Sequence, residues 1–211
     1  MVALAEGYAS PPGNLRAVLA QVADPRAARG VQHRLETVLT LAACAVLAGA
    51  RSFVAVAEWA ADSDPATRAE VGLAGPVPSE STFRRVLQRL DADRFDALLG
   101  GWAERRTRPQ AGRRRHLAVD GKTVRGSAGP HRPARHLLAA LDHDSGVVVG
   151  QVNVDANTGE APRLPVLLDD LDLTDVVITA DAQHAQRATA TFLHARDAHY
   201  LLPVKRNQPK L

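Results

Sequence analysis

The sequence predicts an α+β chain: a helical first half, then a second half running β-β-β-α-β-α-β. Three observations predict it. Apolar residues recur at helical spacing from Leu15 to Trp102, they recur at every second position or in β-branched runs from Leu117 onward, and Pro109-Gln110-Ala111-Gly112 stands between the two textures. The expected domains are a helical one over 10–106, a basic linker over 107–115 and an α/β domain over 116–211.

In the first half, Leu15, Val18, Leu19 and Val22 form an apolar stripe after Pro11-Pro12-Gly13 and before Asp24-Pro25. A broader stripe from Leu35 to Leu47 predicts a buried helix, with Gly49 near its end. Ser52 is placed to cap a third helix carrying Phe53, Val56, Ala57 and Ala60, and Asp64-Pro65 is a cap and first turn for a short fourth. Beyond a loop over 72–78, Ser81 opens a helix with Phe83, Val86, Leu87 and Leu90 on one face and Arg84, Arg85 and Arg89 on the other. Such a basic helix is a candidate to enter a DNA groove, or simply a solvated face. Asp91 opens a last helix bearing Phe95, Leu98, Leu99 and Trp102.

In the second half, His116 to Asp120 predicts a short strand ending in a carboxylate. Arg135 to Leu141 and Val147 to Val154 follow as strands, with turn residues Asp144-Ser145-Gly146 between them. Leu164 to Leu171 predicts a helix, Val176 to Asp181 a buried parallel strand, His184 to Ala195 a helix and His199 to Lys205 a last strand.

Composition narrows the function. One cysteine, Cys44, cannot form an internal disulfide or a thiolate metal cluster, and no apolar run is long enough to span a bilayer. A cytoplasmic protein is expected. The net charge of +3 is uneven: residues 1–116 hold 16 basic against 12 acidic side chains, residues 117–211 hold 10 against 11. The basic excess gathers in Arg105, Arg106, Arg108, Arg113, Arg114 and Arg115, a stretch suited to phosphate. No glycine-rich phosphate loop is present, Ser127 with His131 lacks a nucleophile elbow, and His184, His194 and His199 read as surface residues before metal ligands.

Two carboxylates stand out. If the first three strands form a meander, the fourth reaches the sheet through a crossover helix and can lie parallel to the first on its free side. That makes a switch point where ligands of open α/β sheets bind, with Asp120 and Asp181 at the two strand ends. Alone, Asp120-Gly121 reads equally as a hairpin turn and Asp181 as a helix cap. Together they read as an oxygen donor pair for Mg²⁺ or Mn²⁺ acting on a phosphodiester, with Arg113, Arg114 and Arg115 holding the DNA backbone.

Ala118-Val-Asp-Gly-Lys-Thr-Val-Arg-Gly-Ser127 resembles the first catalytic block of DDE-class insertion-sequence transposases, within them the ISAs family (ISAs-one type). Ile178-Thr-Ala-Asp-Ala-Gln-His-Ala-Gln186 resembles the second block, and Tyr200-Leu-Leu-Pro-Val-Lys-Arg-Asn-Gln-Pro209 the segment that follows. The helical half resembles the associated domain preceding the catalytic one. The resemblance implies an RNase H-like fold, DNA strand cleavage and transfer, and Asp120 and Asp181 as catalytic metal ligands. It further implies phosphate contacts from Lys122 and Arg125, and Lys205, Asn207 and Gln208 at the rim of the cleft.

The family's third acid, a glutamate on a later helix, lies beyond Leu211, so an incomplete, C-terminally truncated catalytic domain is expected, with one sheet face uncovered. Glu160 matches a separate acidic position, where neighbouring Asn157, Gly159 and Ala161 depart from the family pattern, as does Arg206. The expected partners are DNA and either a second copy or an intact transposase, in a nucleoid-associated setting. The alternative is a DNA-binding or transposase-inhibiting chain without chemistry.

Overall fold

The computed structural model describes residues 14–107, 113–130, 133–155 and 158–205. The chain divides into two compact units, residues 1–98 and 99–211. The first is all helical: α1 (Leu15–Leu19), α2 (Leu35–Leu47), α3 (Phe53–Asp62), α4 (Pro65–Glu70), α5 (Glu80–Leu87) and the first half of α6 (Ala92–Thr107). Local chemistry sets the starts. Asn14 caps α1 by accepting from the Arg16 amide, Ser52 caps α3 at Ala55, and Asp64 caps α4 at Thr67, where Pro65 occupies the first turn. α1 stops at Leu19, one turn short of the Val22 that its stripe suggested.

α2 is apolar nearly all round because it is the centre of this unit, packed by α1, α3 and α5. Val38, Leu41, Ala60 and Phe83 are fully buried there. Arg16 pins the rim: it pairs with Glu36 and donates to the Glu70 carbonyl at 2.8 Å. Its guanidinium occupies the space that a Cβ at Gly72 (φ 80°) would need.

The second unit contains the remainder of α6, a five-stranded sheet and two short helices. The strands are β1 (His116–Thr123), β2 (His136–Asp142), β3 (Val148–Val154), β4 (Val177–Ala180) and β5 (His199–Leu201), in the order β3-β2-β1-β4-β5. β1 is antiparallel to β2 and parallel to β4. α7 (Leu164–Leu168) and α8 (Arg187–His194) supply the crossovers, and their Leu164, Leu168 and Leu193 pack on Leu117, Leu138 and Ile178 in one core. A short 3₁₀ turn, Ala182–His184, precedes α8. The second half of α6 joins this unit at close range: a Cβ at Gly100 would stand 2.8 Å from the Val149 carbonyl oxygen.

Several boundaries in the second unit differ from expectation, among them the end of α7 at Leu168. β1 continues three residues past Asp120 because β2 goes on pairing with it as far as Thr123↔His136. The helix after Asp181 begins at Arg187, and the last strand is three residues long. The expected basic linker falls largely outside the described residues.

Candidate active site

The register of β1 and β4 builds the site. Their parallel ladder ends at Val119↔Ala180, and Asp120 and Asp181 are the next residue on each strand. Neighbouring strands run about 4.8 Å apart, so the two residues follow the last paired positions of adjacent strands. Strand alternation then fixes which way Asp120 points. Leu117 and Val119 are buried, so Asp120 faces away from the helix-covered core, with 70% of its side chain exposed. Asp120-Gly121 is thus strand and not turn. Asp181 does cap, accepting from the Gln183 amide at 2.9 Å, and its side chain is exposed. The cap reading of Asp181 holds, and it engages one carboxylate oxygen, Oδ1.

The two exposed carboxylates form a hard, all-oxygen donor pair, the type that Mg²⁺ and Mn²⁺ accept while keeping waters. Among the described residues, no group of three or more His, Cys, Asp or Glu comes together to hold a metal. Lys122 lies 3.9 Å from Asp120 with 88% of its side chain exposed. At that exposure the pair contributes little to stability. Arg125 is exposed in the loop after β1. Lys205 lines an open cleft of about 530 Å³ together with Glu160, Gln183 and Gln186. Asn207 and Gln208 lie outside the described residues.

The arginines before β1 are placed differently from expectation. At about 3.3 Å per residue, Arg113 to Arg115 stand roughly 16–23 Å along the strand from Asp120, at its opposite end. Arg115 is 5% exposed and points inward. Its Nε donates to Asp142 at 2.8 Å, and its other nitrogens reach Thr107 at 2.8 Å and Glu104 at 3.3 Å. It ties α6, β1 and β2 together in the interior of this unit. Arg114 pairs with Asp175 at 2.7 Å and Arg113 with Asp144 at 3.6 Å, both at the surface.

Sequence reasoning missed the groups behind β1. Gly121 shares the inward phase of Leu117 and Val119, and the space where its Cβ would sit holds the Glu160 carboxylate. Glu160 Oε1 accepts from His136 Nε2 at 2.7 Å, and His136 Nδ1 lies 3.0 Å from the Thr123 hydroxyl. A carboxylate oxygen accepts here, so the imidazole presents Nε2–H to Glu160. On the other side, His184 Nε2 is 3.4 Å from Glu160 Oε2. His184, read from sequence as a surface residue, is 1% exposed, and its ring makes no hydrogen bond. The signal was its place three residues after Asp181, in a turn returning to the core.

The second unit is a mixed five-stranded sheet with an aspartate following the last paired residue of each of its two central parallel strands. Comparison with known proteins gives the family. Residues 111–211 match the family described as "Transposase DDE domain", and residues 16–103 match the one described as "DDE_Tnp_1-associated". The chain is 33% identical over 190 residues to "Putative transposase YncI" of Escherichia coli strain K12, covering 89% of this chain and 76% of that protein. It is 36% identical over 195 residues to "Uncharacterized protein in dhlA 3'region" of Xanthobacter autotrophicus, covering 90% of this chain and 65% of that one. The chain belongs to the DDE transposase family. It spans 49% of the length of the YncI protein of Escherichia coli O157:H7, to which it is 33% identical. Among solved structures, the piggyBac transposase synaptic complex with hairpin DNA matches with a TM-score of 0.44 and 14% identity, over 88% of this chain and 46% of that one, too distant to carry residues across.

Proposed function

We propose that this chain carries the first two metal-binding carboxylates of an insertion-sequence transposase of the ISAs type, on an RNase H-like sheet. The observation that supports the reading is the parallel register of β1 and β4, which ends at Val119↔Ala180, one residue before Asp120 and Asp181. Their donor chemistry fits Mg²⁺ or Mn²⁺, which when bound activates an attacking oxygen and stabilises the leaving oxygen of a phosphodiester. The chain's own residues hold and orient. Asp120 and Asp181 bind the cation, Lys122 and Arg125 face the phosphates beside β1, and Lys205 lines the cleft floor next to the turn after Asp181. By the resemblance alone, Asn207 and Gln208 are further candidates to contact DNA. The partners are DNA, element ends and target, and a second copy of a transposase chain, in the nucleoid-bearing cytoplasm.

The test is Mn²⁺-dependent nicking of DNA bearing the element ends. Asp120→Asn and Asp181→Asn are each expected to lower it by more than the roughly 10–100-fold typical of changes around metal ligands. Nicking that survives either substitution overturns the site.

A second reading, DNA binding without chemistry, draws on α5 and the turn after it, where Arg84 and Arg85 on the helix and Arg89 beyond its end are exposed while Phe83 and Val86 are buried. DNA retention without cation-dependent cleavage distinguishes it.

A further inference from the structure

We infer that Glu160 is a positioning residue that sets the separation of Asp120 and Asp181 from behind the sheet. The inference rests on the carboxylate pair proposed above and concerns what holds it. Glu160 is the point where three segments meet. Its carboxylate fills the place of a side chain at Gly121, immediately after Asp120. It accepts from His136, which is tied to Thr123, three residues past Asp120 and on the β2 side of β1. It also faces His184, in the turn that Asp181 caps. Only 13% of the Glu160 side chain is exposed, and His184 is buried.

The parallel ladder stops at Val119↔Ala180, so strand pairing does not couple Asp120 to Asp181 directly. Glu160 spans the gap that the ladder leaves. Gly121 and Asp120 face opposite sides of the strand, so the Glu160 carboxylate meets β1 on the face away from Asp120.

Gly121 is accounted for in the same terms. Its environment rejects a Cβ not because of backbone conformation but because the Glu160 carboxylate occupies that volume. A carboxylate is the far end of a flexible side chain, so Gly121→Ala can fold by pushing Glu160 off its seat.

The test is a disulfide trap in the full chain with Cys44→Ser, Asp120→Cys and Asp181→Cys. Disulfides form between Cα atoms about 4.4–6.8 Å apart, so the rate of closure in oxidised glutathione reports the separation of the two positions. Closure is expected to be rapid with Glu160 in place. Since a shift of about 1 Å costs reacting groups on the order of 100-fold, Glu160→Ala and Gly121→Ala are each expected to slow closure by about tenfold or more. Glu160→Gln, which keeps the shape and an accepting oxygen, is expected to restore most of the rate.

Closure unchanged in both Glu160→Ala and Gly121→Ala overturns the inference, as does failure of the parent trap to close. Equal slowing by Glu160→Gln and Glu160→Ala overturns positioning in favour of a need for charge. Should Glu160→Ala not fold, Gly121→Ala decides. Binding of Mn²⁺ followed by electron paramagnetic resonance separates this result from the proposed function: Mn²⁺ binding insensitive to Asp120→Asn sinks the metal reading and leaves the trap result standing.

Discussion

Arg115 illustrates how one residue's neighbours decide its role. Burial alone would raise the carboxyl of Asp142, but hydrogen bonds from Arg115 and from the backbone and hydroxyl of Ser145, with the guanidinium charge, hold it below the ordinary carboxylate value. A depressed carboxylate contributes stability that is present above its unfolded pKa of about 3.9 and lost as pH falls through the lower folded value. Urea midpoints should therefore drop in that acid window, and Asp142→Asn should remove that part of the drop. The substitution leaves the buried Arg115 with Glu104 as its acidic partner and should cost about 3–5 kcal/mol at neutral pH. A loss below about 1 kcal/mol, the range of exposed pairs, would contradict the buried-tie description. In the sequence Arg115 looks like Arg113 and Arg114, and its acids lie 27 and 11 residues away. Strand phase was the available clue: Arg115, Leu117, Val119 and Gly121 occupy alternate positions, which puts Arg115 on the inward face. Asp120 was legible for the complementary reason, being a charged residue out of phase with the apolar ones.

At the scale of elements, the chemistry of starts was easier to read than that of ends. Ser52, Asp64 and Asp91 each hydrogen-bond a backbone amide three residues on, as their types predict. Ser52→Ala should cost about 1 kcal/mol, read from urea denaturation, and the effect should be confined to stability, since Ser52 touches none of the site. A cost indistinguishable from zero would mean α3 is held by its apolar face alone. Ends depend on partners that are distant in sequence. Gly121-Lys122 has the composition of a turn, yet β2 pairs through both residues, to Leu138 and Leu137. The segment after Asp181 has helical spacing, yet it first makes a 3₁₀ turn that delivers His184 to the core. Glu160 was read as an acid of no assigned role because the groups around it come from β1, β2 and the turn after β4 at once.

At the scale of the molecule, charge and site are divided along the chain. The excess of basic groups lies before residue 117, while the carboxylate pair lies after it. If the α5 arginines meet phosphate, the triple substitution Arg84→Glu, Arg85→Glu and Arg89→Glu should weaken binding of arbitrary duplex DNA. It should also flatten the log–log salt dependence by about 0.9 for each phosphate no longer neutralised. An unchanged slope would place the phosphate-binding groups elsewhere. Among the described residues no helix is long and apolar enough to cross a membrane.

Lysine is scarce in this chain: three residues, at 122, 205 and 210, against 23 arginines. Lys122 stands beside Asp120 and Lys205 lines the cleft next to the turn after Asp181. An amine-selective acylating reagent therefore has three lysine targets, and the two among the described residues lie beside Asp120 and beside the turn after Asp181. Footprinting of Lys122 and Lys205 by mass spectrometry before and after addition of DNA thereby becomes an occupancy assay with few competing signals, a consequence of an arginine-rich composition.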